Sequence, residues 1–243
     1  MISPARIALV TGANKGIGRE IARQIAQAGA TVIAGARNPE RGASAARELA
    51  AEGLDVSFLQ LDTTDESSVA AAAAAISAEH GHLDILVNNA GLADRGDGPP
   101  SLASPAAVRA DLETNFVGTL AVTQAMLPLL RKASAGRIVN LSSALGSLAL
   151  NSDPTSPFSA APAIGYNASK AALNLLTIQL AAELRGTGIA VNSVSPGFVR
   201  TDLTGGSGAV TPSEGAAVPV RYALLDDDAV TGGFFGPSGE LPW

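Results

Sequence analysis

The chain has 243 residues, 47% of them hydrophobic, with 16 Lys plus Arg against 22 Asp plus Glu and a net charge of −6. That length suits one α/β domain spanning residues 1–243; no apolar run approaches the ~20 residues of a membrane span, and the acidic balance argues against nucleic acid as a partner. The absence of Cys rules out disulfides and thiolate metal sites, and an N-terminus without a basic and apolar leader fits a cytoplasmic protein.

Strand and helix patterns alternate from the outset. Arg6–Thr11 is a short apolar run that reads as a buried strand, and Ile17, Ile21 and Ile25 place one apolar face on a helix over 17–28, stopped by Gly29. Thr31–Ala36 reads as a second strand, and Pro39 opens a helix to about Glu52. Asp55–Leu61 reads as a third strand, Asp65–His80 as an Ala-rich helix with Asp65 as N-cap, and Asp84–Asn88 as a fourth strand. Residues 91–104 read as a loop and Pro105–Arg131 as one extended helix whose last turn holds Pro128. Arg137–Leu141 is a fifth strand, the Pro-bearing stretch 144–163 an irregular loop, Ile164–Arg185 a helix and Ile189–Ser195 a sixth strand. Gly197–Val210 is Gly-rich and reads as mobile, Thr211–Leu225 as a short helix, and the tail from Gly232 as one more strand and a turn. Strands alternating with helices imply βαβ units, hence a doubly wound (Rossmann) parallel sheet with helices on both faces and a ligand site beyond the carboxyl ends of the strands.

The residues at those ends carry chemistry. Thr11-Gly12-Ala13-Asn14-Lys15-Gly16-Ile17-Gly18 lies between the first strand and the first helix, where a diphosphate can rest on free N–H groups. The second strand ends at Ala36-Arg37 with no carboxylate for a ribose 2′-hydroxyl. Arg37, helped by Lys15, suits a 2′-phosphate instead, favouring NADPH over NADH. Tyr166 and Lys170 stand one helical turn apart; an ammonium near a phenol favours the phenolate and makes a better proton relay. Ser142 and Ser143 end the fifth strand, Asn88-Asn89-Ala90-Gly91 ends the fourth, and Asn115 sits in an otherwise apolar helical stretch.

Taken in order, the glycine turn at 11–18, Asp62-Thr63, residues 88–91, Asn115, the Ser pair, Tyr166 to Lys170 and Pro196-Gly197 resemble the short-chain dehydrogenase/reductase family over essentially the whole chain. The resemblance is to its carbonyl-reductase-like branch. It implies that Tyr166 is the acid/base and that Lys170 holds the nicotinamide ribose. It further implies that Ser143, rather than Ser142, polarises the substrate carbonyl and that Asn115 anchors a proton-relay water. Cofactor contacts are implied for Gly12, Asn14, Lys15, Gly16, Ile17, Gly18, Arg37, Asp62, Thr63, Asn89, Ala90, Gly91, Tyr166, Lys170, Pro196, Gly197, Val199 and Thr201. The implied activity is NADPH-dependent reduction of a ketone or aldehyde. Two rival readings are an NAD-dependent alcohol or sugar dehydrogenase and a non-catalytic cofactor sensor.

Tyr166 follows Ser143 by 23 residues, against about a dozen in the family, and the excess is the Pro-rich segment 151–163. That segment leaves monomer or homo-oligomer open. The expected pocket walls, 92–98, 144–163 and 197–215, carry Leu92, Leu145, Leu148, Leu150, Phe158, Phe198 and Leu203, which suit a small apolar carbonyl substrate. Asp94, Arg95, Asp97 and Asp153 in the same walls keep a polar substrate open. His80 and His82 read as solvated surface residues, and no metal is expected.

Overall fold

The computed structural model describes residues 5–226 and 229–243. Its centre is an eight-stranded sheet: β1 (Ile7–Thr11), β2 (Thr31–Ala36), β3 (Val56–Gln60), β4 (Ile85–Asn88), β5 (Arg137–Leu141), β6 (Ala190–Val194), β7 (Phe234–Gly236) and β8 (Gly239–Glu240). Their order is β3-β2-β1-β4-β5-β6-β7-β8. The first seven run parallel, while β8 returns antiparallel to β7, Phe235 facing Glu240. The expected doubly wound α/β fold is present, with one antiparallel strand at its edge.

Strand side chains sort by parity because successive residues point to opposite faces. Ala8 and Val10 join Val32, Val87 and Val139 in a core covered by α1 (Gly16–Gln27), α2 (Pro39–Ala51) and α8 (Pro212–Ala223). Ile7 and Leu9 join Ile33, Leu86, Ile138 and Val191 on the other face, covered by α3 (Glu66–Glu79), α5 (Gly118–Leu130) and α7 (Ile164–Glu183). A strand buried on both faces carries a run of apolar residues, as β1 and β4 do up to their polar last residues, Thr11 and Asn88. Helix starts follow local chemistry: Asp65 caps α3 by accepting from Ser67 and Ser68 N–H, and Asn38 caps α2 ahead of Pro39.

Two expectations about elements need correction. The stretch 105–131 is not one regular helix: α4 (Pro105–Leu112) passes through a π turn at Glu113–Val117 into α5. The 144–163 stretch is not wholly irregular, for it holds a 3-10 turn at Ala144–Gly146 and a short helix, α6 (Leu148–Ser152), capped by Ser147 Oγ accepting from Leu150 N–H at 3.0 Å.

Strand order reverses between β1 and β4, whose neighbours β2 and β5 lie on opposite sides. The carboxyl ends of these strands therefore open a crevice at the switch point. Beneath it, Asn88 Nδ2 donates to Thr123 Oγ1 (3.0 Å) and Asn140 Oδ1 (2.8 Å), and Asn140 Nδ2 donates to Thr177 Oγ1 (2.8 Å). This buried network joins β4 and β5 to α5 and α7, and so fixes the helix that carries Tyr166.

Candidate active site

The glycine turn after β1 takes its shape from three positions. Gly12 and Gly16 have φ of 66° and 57°, a region that side chains disfavour. Gly18 is required by contact: a Cβ there would lie 2.3 Å from Asn89 Nδ2 and 2.5 Å from Gly12 O. Asn89 Nδ2 in turn donates to Thr11 O (2.7 Å) and Gly12 O (3.2 Å), while the N–H groups of Asn89 and Ala90 both donate to Thr11 Oγ1 at 3.0 Å. Asn89 and Ala90 thus knit the end of β4 onto the turn. Lys15 heads α1 without a side-chain cap, and no acidic residue lies in the first turn. The leading N–H groups of that helix stand open to an anion.

Arg37 is exposed at the end of β2, and its side chain has no hydrogen bond or ion pair among the described residues. Lys15 Nζ instead reaches across the crevice to Asp202 Oδ2 at 2.5 Å. Lys15, and more weakly Arg41, hold the Asp202 carboxyl below its ordinary pKa. Arg41, in the first turn of α2, is therefore a third cation on this side of the crevice, and the sequence reading missed it. The sequence carries no signal for it, because Arg37 precedes the extended N-cap Asn38 and lies outside the helical repeat that holds Arg41. Asp62 follows β3, with Oδ1 accepting from Thr64 N–H and Oγ1. Thr63 O sits against the first residue of α5, 2.7 Å from where a Cβ on Gly118 would be.

Residues 197–210, expected to be mobile, form a hydrogen-bonded loop. Gly197 turns with φ 84°, Arg200 N–H donates to Val210 O (2.8 Å), and Ala209 N–H to Phe198 O (2.7 Å). Thr201 faces the glycine turn, since a Cβ on Gly16 would lie 3.5 Å from Thr201 Cγ2. Val199 does not face it: it is buried, would meet any Cβ on Gly215 of α8 at 2.5 Å, and gives its carbonyl to Thr204 Oγ1. Pro196 leads into this loop two residues after the end of β6.

Tyr166 and Lys170 lie on α7 where it passes the end of β5. Lys170 is buried, with Nζ donating to Leu141 O at 2.7 Å and standing 5.6 Å from the centre of the Tyr166 ring. Burial brings the lysine down to about 8, with the nearby Asp111 charge opposing that shift. The phenol of Tyr166 is pushed up to about 12 by burial, while a hydrogen bond with Ser143 pulls the other way. The direction therefore differs from the one expected of a phenol beside an ammonium: desolvation of the phenolate, with the Asp111 charge added to it, outweighs the hydrogen bond with Ser143. Of the two serines, Ser143 faces the phenol, and its Oγ also accepts from Leu145 N–H at 3.2 Å. Ser142 is buried and turned to Lys170 O, 3.4 Å away.

Asn115 sits in the middle of the π turn and is fully buried. Its Nδ2 donates to Leu92 O and Ser169 Oγ, each at 2.8 Å, and Oδ1 accepts from Leu92 N–H at 2.7 Å. Both amide hydrogens are thus spent on protein atoms, leaving the side chain a clamp between loop 91–104 and α7. A Cβ on Gly91 would lie 3.4 Å from Asn115 Oδ1 and 3.6 Å from Lys170 Nζ, so Gly91, Asn115 and Lys170 border one small polar space. The aspartates of the expected pocket wall are also occupied: Asp94 Oδ1 accepts from Gly96 N–H, Asp153 Oδ1 from Thr155 N–H, and Asp97 from three N–H groups. Among the described residues no group of three or more His, Asp or Glu could hold a metal ion, and no helix is long and apolar enough to cross a membrane.

Residues 6–210 match the family model described as short chain dehydrogenase. The chain belongs to the short-chain dehydrogenase family. Among curated members of that family, carbonyl reductase [NADPH] 1 of Sus scrofa is 36% identical, covering 99% of this chain and 93% of its own length. (-)-Isopiperitenone reductase of Mentha piperita is 35% identical, covering 97% of each. Among solved short-chain dehydrogenase structures, the NADPH-bound carbonyl reductase from chicken fatty liver superposes with a TM-score of 0.86 at 30% identity, covering 98% of this chain and 99% of that one.

Proposed function

We propose that this chain is an NADPH-dependent carbonyl reductase, converting a ketone or aldehyde to an alcohol. The observation that carries the reading is the pairing of Tyr166 with Ser143 above the buried Lys170 at the end of β5, with an uncapped helix N-terminus after β1 and an exposed Arg37 after β2. The names of the related reductases from pig and chicken, both specifying NADPH, support it.

The residues fit the cofactor. Glycines allow the backbone of residues 12–18 to approach a diphosphate, and the open N–H groups of α1 receive it. Arg37, Arg41 and Lys15 supply positive charge for a 2′-phosphate, where a carboxylate would repel it. Bound reduced nicotinamide supplies the hydride. Tyr166 and Ser143 would hold the carbonyl oxygen between two hydroxyls, and the Tyr166 phenol gives up its proton to that oxygen. A phenol pushed up to about 12 is fully protonated at neutral pH, the state a proton donor needs. The Lys170 ammonium then offsets the charge that the departing proton leaves on the phenol. Gly91, Asn115 and Lys170 border a space suited to a water that refills the proton, reached through Asn115's remaining lone pair or its main chain. The walls favour apolar substrates, since Leu148, Phe198 and Leu203 are 71%, 57% and 46% exposed and the wall aspartates are engaged by backbone.

The test is turnover of NADPH and NADH against aryl ketones, aldehydes and quinones, for wild type, Tyr166→Phe and Arg37→Ala. The expected result is NADPH-dependent reduction that falls by about 10²–10⁴-fold in Tyr166→Phe while cofactor binding persists, with Arg37→Ala weakening NADPH and sparing NADH. Alcohol oxidation with NAD and no carbonyl reduction would transfer the assignment to the dehydrogenase reading.

A further inference from the structure

Asp97 is exposed in part and lies in loop 91–104, far in sequence from α7, yet its carboxylate is spent on that helix. Oδ1 accepts from Gly165 N–H at 2.9 Å and from Gly98 N–H at 2.8 Å, and Oδ2 accepts from the N–H of Tyr166 itself at 3.0 Å. The next residue continues the contact, Ile164 N–H donating to Gly98 O at 3.0 Å. The first turn of α7 has no cap from its own chain neighbour, Ala163, whose side chain cannot accept. Its first three N–H groups are therefore satisfied from the loop, and a carboxylate at a helix N-terminus also interacts favourably with the positive end of the helix dipole there. Packing at this point is close. A Cβ on Gly165 would meet Asp111 Oδ2 and Val108 Cα, both at 2.9 Å, and Asp111 accepts from Asp94 N–H at 2.9 Å. Asp111 thereby seats the same loop from behind.

We propose that Asp97 is a positioning residue for the reductive step, fixing the backbone of Tyr166 by capping the catalytic helix from the loop that walls the substrate. The proposal rests on the reductase reading above. It makes the loop and the proton donor one unit: a substrate that displaces residues 94–98 displaces Tyr166. The effect is confined to the front of the helix, because Ser169 is clamped by Asn115 and Lys170 by Leu141 O independently of Asp97. Loss of the cap should therefore misplace the phenol and leave the lysine and the glycine turn in register.

The experiment compares Asp97→Ala and Asp97→Asn with wild type in kcat, KM, NADPH dissociation constant, melting temperature and amide hydrogen exchange of the 164–168 segment. In Asp97→Ala, kcat is expected to fall by about tenfold or more, with faster exchange at 164–168 and an NADPH dissociation constant within about twofold of wild type. Asp97→Asn retains one acceptor oxygen but turns an amide toward Tyr166 N–H, so it is expected to lie between. Unchanged kcat with faster exchange would reduce Asp97 to a structural cap and overturn the proposal. So would equal losses in kcat, NADPH affinity and melting temperature in both variants. If wild type reduces no carbonyl, the reductase reading fails by that result alone. The exchange arm then still decides whether Asp97 holds the turn: unchanged exchange at 164–168 overturns the proposal, and faster exchange supports the clamp.

Discussion

At the scale of single side chains, Lys170 and Tyr166 are both buried and move apart from their usual values in a way that separates their effects on pH dependence. The lysine, brought down to about 8, carries its charge below that pH and loses it above. The phenol, pushed up to about 12, keeps its proton throughout the same range. Any alkaline fall in reduction near pH 8 therefore belongs to Lys170. We expect kcat/KM to hold from pH 6 to about pH 7.5 and to decline with a one-proton dependence near pH 8. Lys170→Met should lower kcat/KM and abolish that limb; a wild-type kcat/KM profile flat to pH 9.5 would remove the lysine charge from the mechanism. Much at this scale was readable beforehand. Tyr166 and Lys170 stand on one helix face and Ser142 and Ser143 at a strand end, but the roles of Tyr166 and Lys170 and the choice of Ser143 over Ser142 come from the family resemblance. Asp97 was read only as a polar wall residue, because a carboxylate that caps a helix 68 residues away leaves no local pattern. Arg41 was passed over because a surface arginine on a helix is ordinary until its fold places it near Asp202.

At the scale of elements, the β1–α1 turn depends on a contact rather than on flexibility alone. Gly18 has no room for a side chain beside Asn89 Nδ2, and the displaced group would be the amide that holds the Thr11 and Gly12 carbonyls. Gly18→Ala is expected to destabilise the protein by about 1–3 kcal/mol through overpacking. It should also weaken NADPH binding by about tenfold or more, read by thermal melting and cofactor titration; full affinity at wild-type stability would show that the turn can open without loss. The strands were legible because they read as short apolar or alternating runs bounded by turn residues, as in β1 and β3, and α2 and α3 because Pro39 and Asp65 mark their starts. The π turn was not, for a widened turn uses the same residue types as the helix around it; Asn115, buried and polar, was its one trace. The helix α6 was missed because five residues carry no periodicity, although Ser147 ahead of Leu148 is a cap signal.

At the scale of the whole molecule, the alternation of strands and helices leads to the doubly wound parallel sheet with helices on both faces, since right-handed crossovers leave few other ways to bury both faces; the strand order itself comes from the structure. What alternation does not convey is the far edge. There β8 turns back on β7, Leu241 N–H donates to Phe234 O at 2.8 Å, and the chain runs on to Trp243. The Trp243 ring stacks on Phe234 with centroids 5.5 Å apart, and its carbonyl accepts from Ala149 N–H at 3.0 Å. A segment from the sheet edge thus anchors α6, and Asn151 carries the link onward by donating to Leu145 O at 2.8 Å and facing Asn167, the neighbour of Tyr166. Asn151→Ala should loosen this wall and raise KM for bulky carbonyls more than for small ones; an equal change for both would place the effect elsewhere. Trp243 is the sole tryptophan of the chain, so its fluorescence comes from one ring, seated where the substrate wall is tethered. The emission maximum is therefore a built-in optical gauge of that tether: a shift to longer wavelength on adding a substrate reports the wall lifting into water, without any label attached to the protein.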